Sequence, residues 1–226
     1  MKIKNLHQWD AAGYHEAVRI QEELKSQLIL TGDPVDLRTV AGADISYSKG
    51  DDLFFAAVVV MRLPDFEIVE KVFASGRVRF PYMPGLLSFR EGPILLRAFD
   101  KIQNIPDLIL IDGQGIAHPR GFGLAAHMGL FLEVPTVGCA KTRLVGSHEP
   151  VGINVGDYRE LLFNERTVGA VLRTKKKVNP IYVSQGHRIG FRGAIEAVLG
   201  CLSGYRIPEP LRRAHLAVNA FRRENL

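Results

Sequence analysis

Three carboxylates, one histidine and one lysine, all far apart in the sequence, carry the chemical interest of this chain: Asp44, Glu91, Asp112, His215 and Lys141. Carboxylate oxygens suit hard cations such as Mg²⁺, and such cations promote hydrolysis of phosphate esters. Asp112 has the most telling setting. Leu108 to Ile111 is an unbroken aliphatic run, the pattern of a strand buried on both faces. Asp112 arrives where that strand ends, and Gly113 and Gly115 let the backbone turn and approach a ligand closely. Ligands of open α/β sheets bind beyond the carboxyl ends of strands. An ordinary Asp-Gly turn accounts for the same residues, so Asp112 gains weight only if other groups reach the same edge.

The elements around those groups decide this. Val40 to Tyr47 reads as a strand with Val40, Gly42, Asp44 and Ser46 on one face. A carboxylate in mid-strand is disfavoured unless something compensates it, and a metal ion would; an exposed edge position is the alternative. Pro135 to Lys141 is a second short buried strand, which sets Lys141 on the same rim as Asp112. There it neutralises a phosphate or leaving group, or else snorkels to solvent. Leu86 to Ile102 reads as a helix with Glu91 near its start. Ser88-Phe89-Arg90-Glu91 fits a capping box, which would turn Glu91 back on its own helix terminus; an earlier start frees Glu91 for the sheet edge. The last helix opens after Pro208-Glu209-Pro210 and runs to about Arg223, with Leu211, His215 and Val218 on its core-facing stripe.

The rest of the chain is scaffold. Trp9 to Leu28 reads as an amphipathic helix, and Leu53 to Leu63 and Phe66 to Phe80 as strands joined at Pro64-Asp65. Leu124 to Phe131 reads as helix, and Val168 to Arg173 and Ile181 to Ser184 as strands around a Lys175-Lys176-Lys177 hairpin tip. Three strands followed by alternating helices and strands suggest a mixed sheet, antiparallel meander first and parallel strands after, as in ribonuclease H-like α/β folds. Pro81 and Pro84 bracket Tyr82 and Met83 in a stiff loop able to hold an aromatic wedge forward, or merely to cover the core edge.

Bulk properties set bounds. A chain of 226 residues with 46% hydrophobic content and no linker or repeat is expected to form one domain, 1–226. No apolar run spans a bilayer, no signal peptide is evident, and Cys139 and Cys201 suit small buried hydrophobes in a reducing cytoplasm. Residues 166–226 hold 12 Lys+Arg against 3 Asp+Glu, net +9; the rest hold 17 against 21, net −4. A basic quarter beside an acidic remainder suits a phosphate-rich partner and cations elsewhere, or is simply a solvated basic face.

Taken together, Asp44, Pro81-Tyr82-Met83-Pro84, Phe89-Arg90-Glu91-Gly92, Asp112-Gly113-Gln114-Gly115, Ala117-His118-Pro119-Arg120 and Ala214-His215 resemble the motifs of the endonuclease V family, in order and over nearly the full length. The resemblance implies a ribonuclease H-like fold and a Mg²⁺-dependent nuclease, with Mn²⁺ as substitute. It implies hydrolysis of the second phosphodiester bond 3′ to an inosine, leaving 3′-OH and 5′-phosphate, in DNA repair. By position, Asp44, Glu91 and Asp112 match the catalytic, metal-holding carboxylates, His215 the fourth metal-site residue and Lys141 the basic residue near the phosphate. Pro81 to Pro84 match the strand-separating wedge; Gly85, Leu87, Gly113 and Leu124 match the lining of the base pocket, with His118 also on the substrate side. Three positions depart from the pattern: Met83 replaces the usual isoleucine, Ala43 a frequent valine, and Gln185 a proline before Gly186. The implied partner is inosine-containing nucleic acid, DNA before RNA, acted on by a monomer.

Two other readings use the same residues. A phosphate-binding kinase or ATPase of ribonuclease H-like fold would use Asp112-Gly113-Gln114-Gly115 as its phosphate loop, but the chain has no Gly-Lys-Ser/Thr loop and leaves Tyr82 without a role. A non-catalytic nucleic-acid-binding protein explains the basic C-terminal quarter and leaves the acids of the strands unexplained.

Overall fold

The computed structural model describes residues 1–9, 13–33, 36–48 and 50–226. Its strands are β1 (Thr39–Tyr47), β2 (Leu53–Arg62), β3 (Glu67–Arg77), β4 (Leu108–Asp112), β5 (Thr136–Ala140), β6 (Tyr158–Phe163), β7 (Arg166–Leu172) and β8 (Ile181–His187). Its helices are α1 (Tyr14–Lys25), α2 (Leu87–Phe99), α3 (Leu124–Leu132), α4 (Phe191–Gly200) and α5 (Glu209–Glu224). All these strands join one sheet in the order β3-β2-β1-β4-β5-β8-β7-β6.

The apolar runs explain the order. Leu108, Ile109, Leu110 and Ile111 are all fully buried, and each such side chain contributes about 1.5–3 kcal/mol of transfer free energy. That requires neighbours on both edges and helices on both faces, which β4 has as a central strand parallel to β1 and β5. β1, β2 and β3 form the expected antiparallel meander. Beyond the parallel strands the sheet turns antiparallel again through β5-β8-β7-β6, with the expected Lys175-Lys176-Lys177 segment lying between β7 and β8. Helices α2 and α3 cover one face, with α1 above them, and α4 and α5 cover the other.

Several expected boundaries shift: α2 ends at Phe99 and not Ile102, and β3 at Arg77 and not Phe80. The N-terminal helix is Tyr14–Lys25, shorter than the stretch from Trp9 to Leu28. Residues 10–12 of that stretch lie outside the described residues, and Trp9 packs against Phe89, His127 and Phe131. Cys139 and Cys201 are buried free thiols, as their sequence context suggested. Among the described residues no helix is long and apolar enough to cross a membrane.

Candidate active site

Adjacent strands deliver the first groups to one rim. β1 and β4 are paired in register as far as Ala43 and Ile111, so Asp44 and Asp112 follow side by side where that pairing ends. Asp112 in turn pairs with Cys139 of β5, and Lys141 follows just past the end of that strand. Lys141 Nζ donates to Asp112 Oδ2 in an ion pair. The main chain of Lys141 is pinned as well, because Arg206 donates to its carbonyl oxygen at 2.7 Å and to that of Pro180 at 2.9 Å.

Glu91 reaches the same rim from α2. The helix starts at Leu87, and no side chain caps its Leu86 terminus. The capping box therefore does not form. Ser88 is inside the first turn, and its hydroxyl is bonded to His127 Nδ1 at 2.9 Å. Glu91 is left buried with no hydrogen bond among the described residues.

His215 arrives from α5. A Cβ on Gly42 would lie 2.1 Å from the carbonyl oxygen of Pro210, so only glycine lets the start of α5 seat against β1. That close approach places His215 Nδ1 at 2.7 Å from Asp44 Oδ2. The carboxylate accepts the Nδ1 proton, while Asn219 donates to the carbonyl of His215 at 2.8 Å and accepts from Ser46 Oγ at 2.8 Å. His215 is not a core residue, contrary to the spacing argument. The buried stripe is Leu211, Ala214 and Val218, and the His215 side chain is 54% exposed at its margin.

The electrostatics of this rim are unbalanced. Burial raises the Glu91 carboxyl first, and Asp44 and Asp112 raise it further, to about 8 despite nearby Arg90. Burial and then Asp112 also raise Asp44, against the opposing pull of His215. Negative charge is thus gathered beyond what the local cations offset. As they stand, Asp44 turns to His215 and Asp112 to Lys141, and among the described residues no three such side chains enclose an ion.

Beside the rim is a cavity of ≈ 170 Å³ lined by Gln21, Tyr82, Met83, Pro84, Gly85 and Leu87 on one side. Ser88, Gln114, His118, Gly123, Leu124 and Leu144 complete it. About 150 Å³ suffices for one benzene ring, so the space matches a single base. Sequence reasoning named Tyr82 to Gly85, Leu87, His118 and Leu124 but missed Gln21, Ser88, Gln114, Gly123 and Leu144. Gly113 is set back, where a Cβ would touch Leu124 at 3.4 Å. Pro81 faces a separate cleft with Arg79 and Arg90.

The wall is held from behind. Gly85 has a φ of 76°, which favours glycine, and its carbonyl accepts from Gln21 at 3.2 Å, His118 at 3.0 Å and Arg120 at 2.5 Å. Above it Tyr82 is 70% exposed, with the Arg90 guanidinium 6.0 Å from its ring and 5.1 Å from that of Phe54.

A family model described as Endonuclease V matches residues 22–216. The chain is similar to the endonuclease V of Dehalococcoides mccartyi, 49% identical over 217 residues that make up 96% of this chain and 97% of that protein. The fold is similar to the solved endonuclease V of Bacillus subtilis, with TM-score 0.94 and 31% identity over 100% of this chain and 98% of that one. It is also similar to the Ciona intestinalis endonuclease V solved with a 24mer DNA containing an inosine followed by a ribo-adenosine. There the TM-score is 0.83 and the identity 26%, over 94% of this chain and 98% of that one.

Proposed function

The chain belongs to the endonuclease V family and is a nuclease, and on that premise we propose that it cuts the second phosphodiester bond 3′ to an inosine, leaving 3′-OH and 5′-phosphate, in DNA repair. Asp44, Glu91, Asp112 and His215 hold divalent cation, Mg²⁺ with Mn²⁺ as substitute. The observation that carries this reading is the unpaired Glu91, whose carboxyl is raised to about 8 by burial first and then by the two neighbouring carboxylates, Asp44 and Asp112. Such a set is poorly compensated by the side chains around it, and oxygen donors of this type suit hard cations. When bound, the cation polarises a phosphoryl oxygen and lowers the pKa of water at the site.

The chain's own residues do the rest. Lys141, its main chain pinned by Arg206 and its ammonium paired with Asp112, would place positive charge beside the phosphate if Asp112 took part in holding a cation. Asp44 fixes the His215 ring through Nδ1, and Nε2, now 3.3 Å from Asn219 Nδ2, would turn from that contact to hold the cation or to orient a water. Tyr82, backed by Arg90, fills the gap in the base stack while the displaced inosine enters the neighbouring cavity. Leu87 and Ser88 begin α2 and Leu124 begins α3, so helix-terminal N–H groups without partners in their own helix are available to the O6 acceptor of hypoxanthine. A close wall at C2 excludes the amino group of guanine.

End-labelled DNA and RNA strands bearing one inosine test this. With Mg²⁺ the expected product is a single cut one nucleotide beyond the inosine's own 3′ bond, abolished by chelator and restored by added metal. Uncut inosine strands, or cuts indifferent to the inosine, contradict it.

A further inference from the structure

Behind the cavity lies a chain of polar side chains that the chemistry above does not use. His7 Nδ1 is 2.8 Å from the carbonyl oxygen of Gln8, and His7 Nε2 is 2.7 Å from His127 Nε2. His127 Nδ1 is 2.9 Å from Ser88 Oγ. His127 is fully buried among Trp9, Phe89, Phe122 and Phe131, a setting with no room for an uncompensated charge. Burial lowers the proton affinity of both rings, so both are neutral.

The direction of every proton then follows from donor and acceptor chemistry. A carbonyl oxygen only accepts, so His7 carries its proton on Nδ1 and offers a lone pair at Nε2. His127 must donate to that lone pair from its own Nε2, which leaves its Nδ1 as an acceptor. The Ser88 hydroxyl donates to that acceptor. A free serine hydroxyl rotates to suit either kind of partner and discriminates little. This one has its single proton committed to His127, so Ser88, which forms part of the cavity wall, meets a ligand only with lone pairs.

We propose that Ser88 is a specificity-determining residue that accepts the N1–H of the displaced base, with His127 and His7 as positioning residues that fix the polarity of its hydroxyl. The inference rests on the base-pocket reading above. Hypoxanthine carries a proton at N1 and satisfies the oxygen. Adenine presents a lone pair there, and two acceptors facing each other in a closed pocket repel and leave both unsatisfied.

The test measures Kd, without added cation and at fixed salt, for strands bearing one inosine, one purine nucleoside with a bare N1 lone pair (nebularine), or only standard bases. Ser88→Ala is expected to weaken the inosine strand about tenfold and the nebularine strand less than about twofold, the difference made by one hydrogen bond. Ser88→Thr, which keeps the hydroxyl, is expected to stay within about twofold of wild type on inosine. Equal losses on both modified strands, as a purely structural role gives, or no loss on either, overturn the assignment. Wild-type protein holding the inosine strand no tighter than the standard strand overturns the base-pocket reading itself, and the assignment with it.

Discussion

Glu209 has only 4% of its side chain exposed yet stays ionised. Arg212 donates to it twice at 2.7 Å, and Ser203 and Arg213 each at 2.6 Å. These bonds, Arg212 foremost, outweigh burial and lower the carboxyl from 4.5 to about 2. A depressed carboxyl contributes stability that is present above about pH 4.5 and lost as pH falls toward 2. Two histidines act in a higher window. Burial, then Arg120 for His118 and Arg188 for His187, lowers each from 6.5 to about 4. Both are neutral acceptors in the fold, His118 Nδ1 from the N–H of Arg120 and His187 Nδ1 from that of Ile29. These two groups therefore bind more protons in the unfolded chain between about pH 6.5 and 4, and their contribution to stability falls as pH falls through that range. The raised Glu91 carboxyl, which binds its proton in the fold, opposes this in part. Thermal unfolding should show Tm dropping from pH 7 to 4 and again below 4.5. Glu209→Gln should lower stability at pH 7 by about 2 kcal/mol and remove the lower step; an unchanged acid profile would contradict this assignment.

At the scale of elements, α5 shows how a helix is aimed. The absence of a side chain at Gly42 lets Pro210 settle on β1, and that contact brings His215 to Asp44. Gly42→Ala puts a methyl 2.1 Å from a backbone oxygen, so α5 must lift. The expected cost is about 1–3 kcal/mol in urea unfolding, with single-turnover cleavage falling more than nucleic-acid affinity; no change in either would contradict the packing argument. Most elements were legible in the sequence because their apolar periodicity is strong, as in β2 and β4. β6 was not, because Tyr158–Phe163 is an edge strand on which Leu161 alone is buried, leaving no alternation to read. α4 was not, because Phe191–Gly200 carries two glycines and no side-chain cap. Whether Glu91 belongs to a capping box turned on a tertiary contact, the capture of Ser88 by His127, which no local pattern encodes. His215 was placed on the wrong stripe for a related reason. Periodicity gives the angle around the helix, and where the margin of the buried face falls depends on the neighbouring strands.

At the scale of the whole molecule, the rim is assembled from β1, α2, β4, the residue after β5, and α5, which span most of the chain. Asp44, Asp112 and Lys141 were legible because each ends or interrupts the apolar pattern of a strand, whereas Glu91 was not. The cavity was only half legible, since Gln21, Ser88, Gln114, Gly123 and Leu144 come from separate elements and have no common motif. Removing one carboxylate at the rim leaves the basic segment 166–226, with net charge +9, untouched. Binding and cleavage should therefore separate. Asp112→Asn, assayed beside wild type on one inosine-containing strand at matched Mg²⁺ and salt, tests this most directly. The prediction is a Kd within a few-fold of wild type and a cleavage rate lower by roughly 100-fold or more, the loss of several kcal/mol of transition-state stabilisation. Cleavage by Asp112→Asn at the wild-type rate would contradict it.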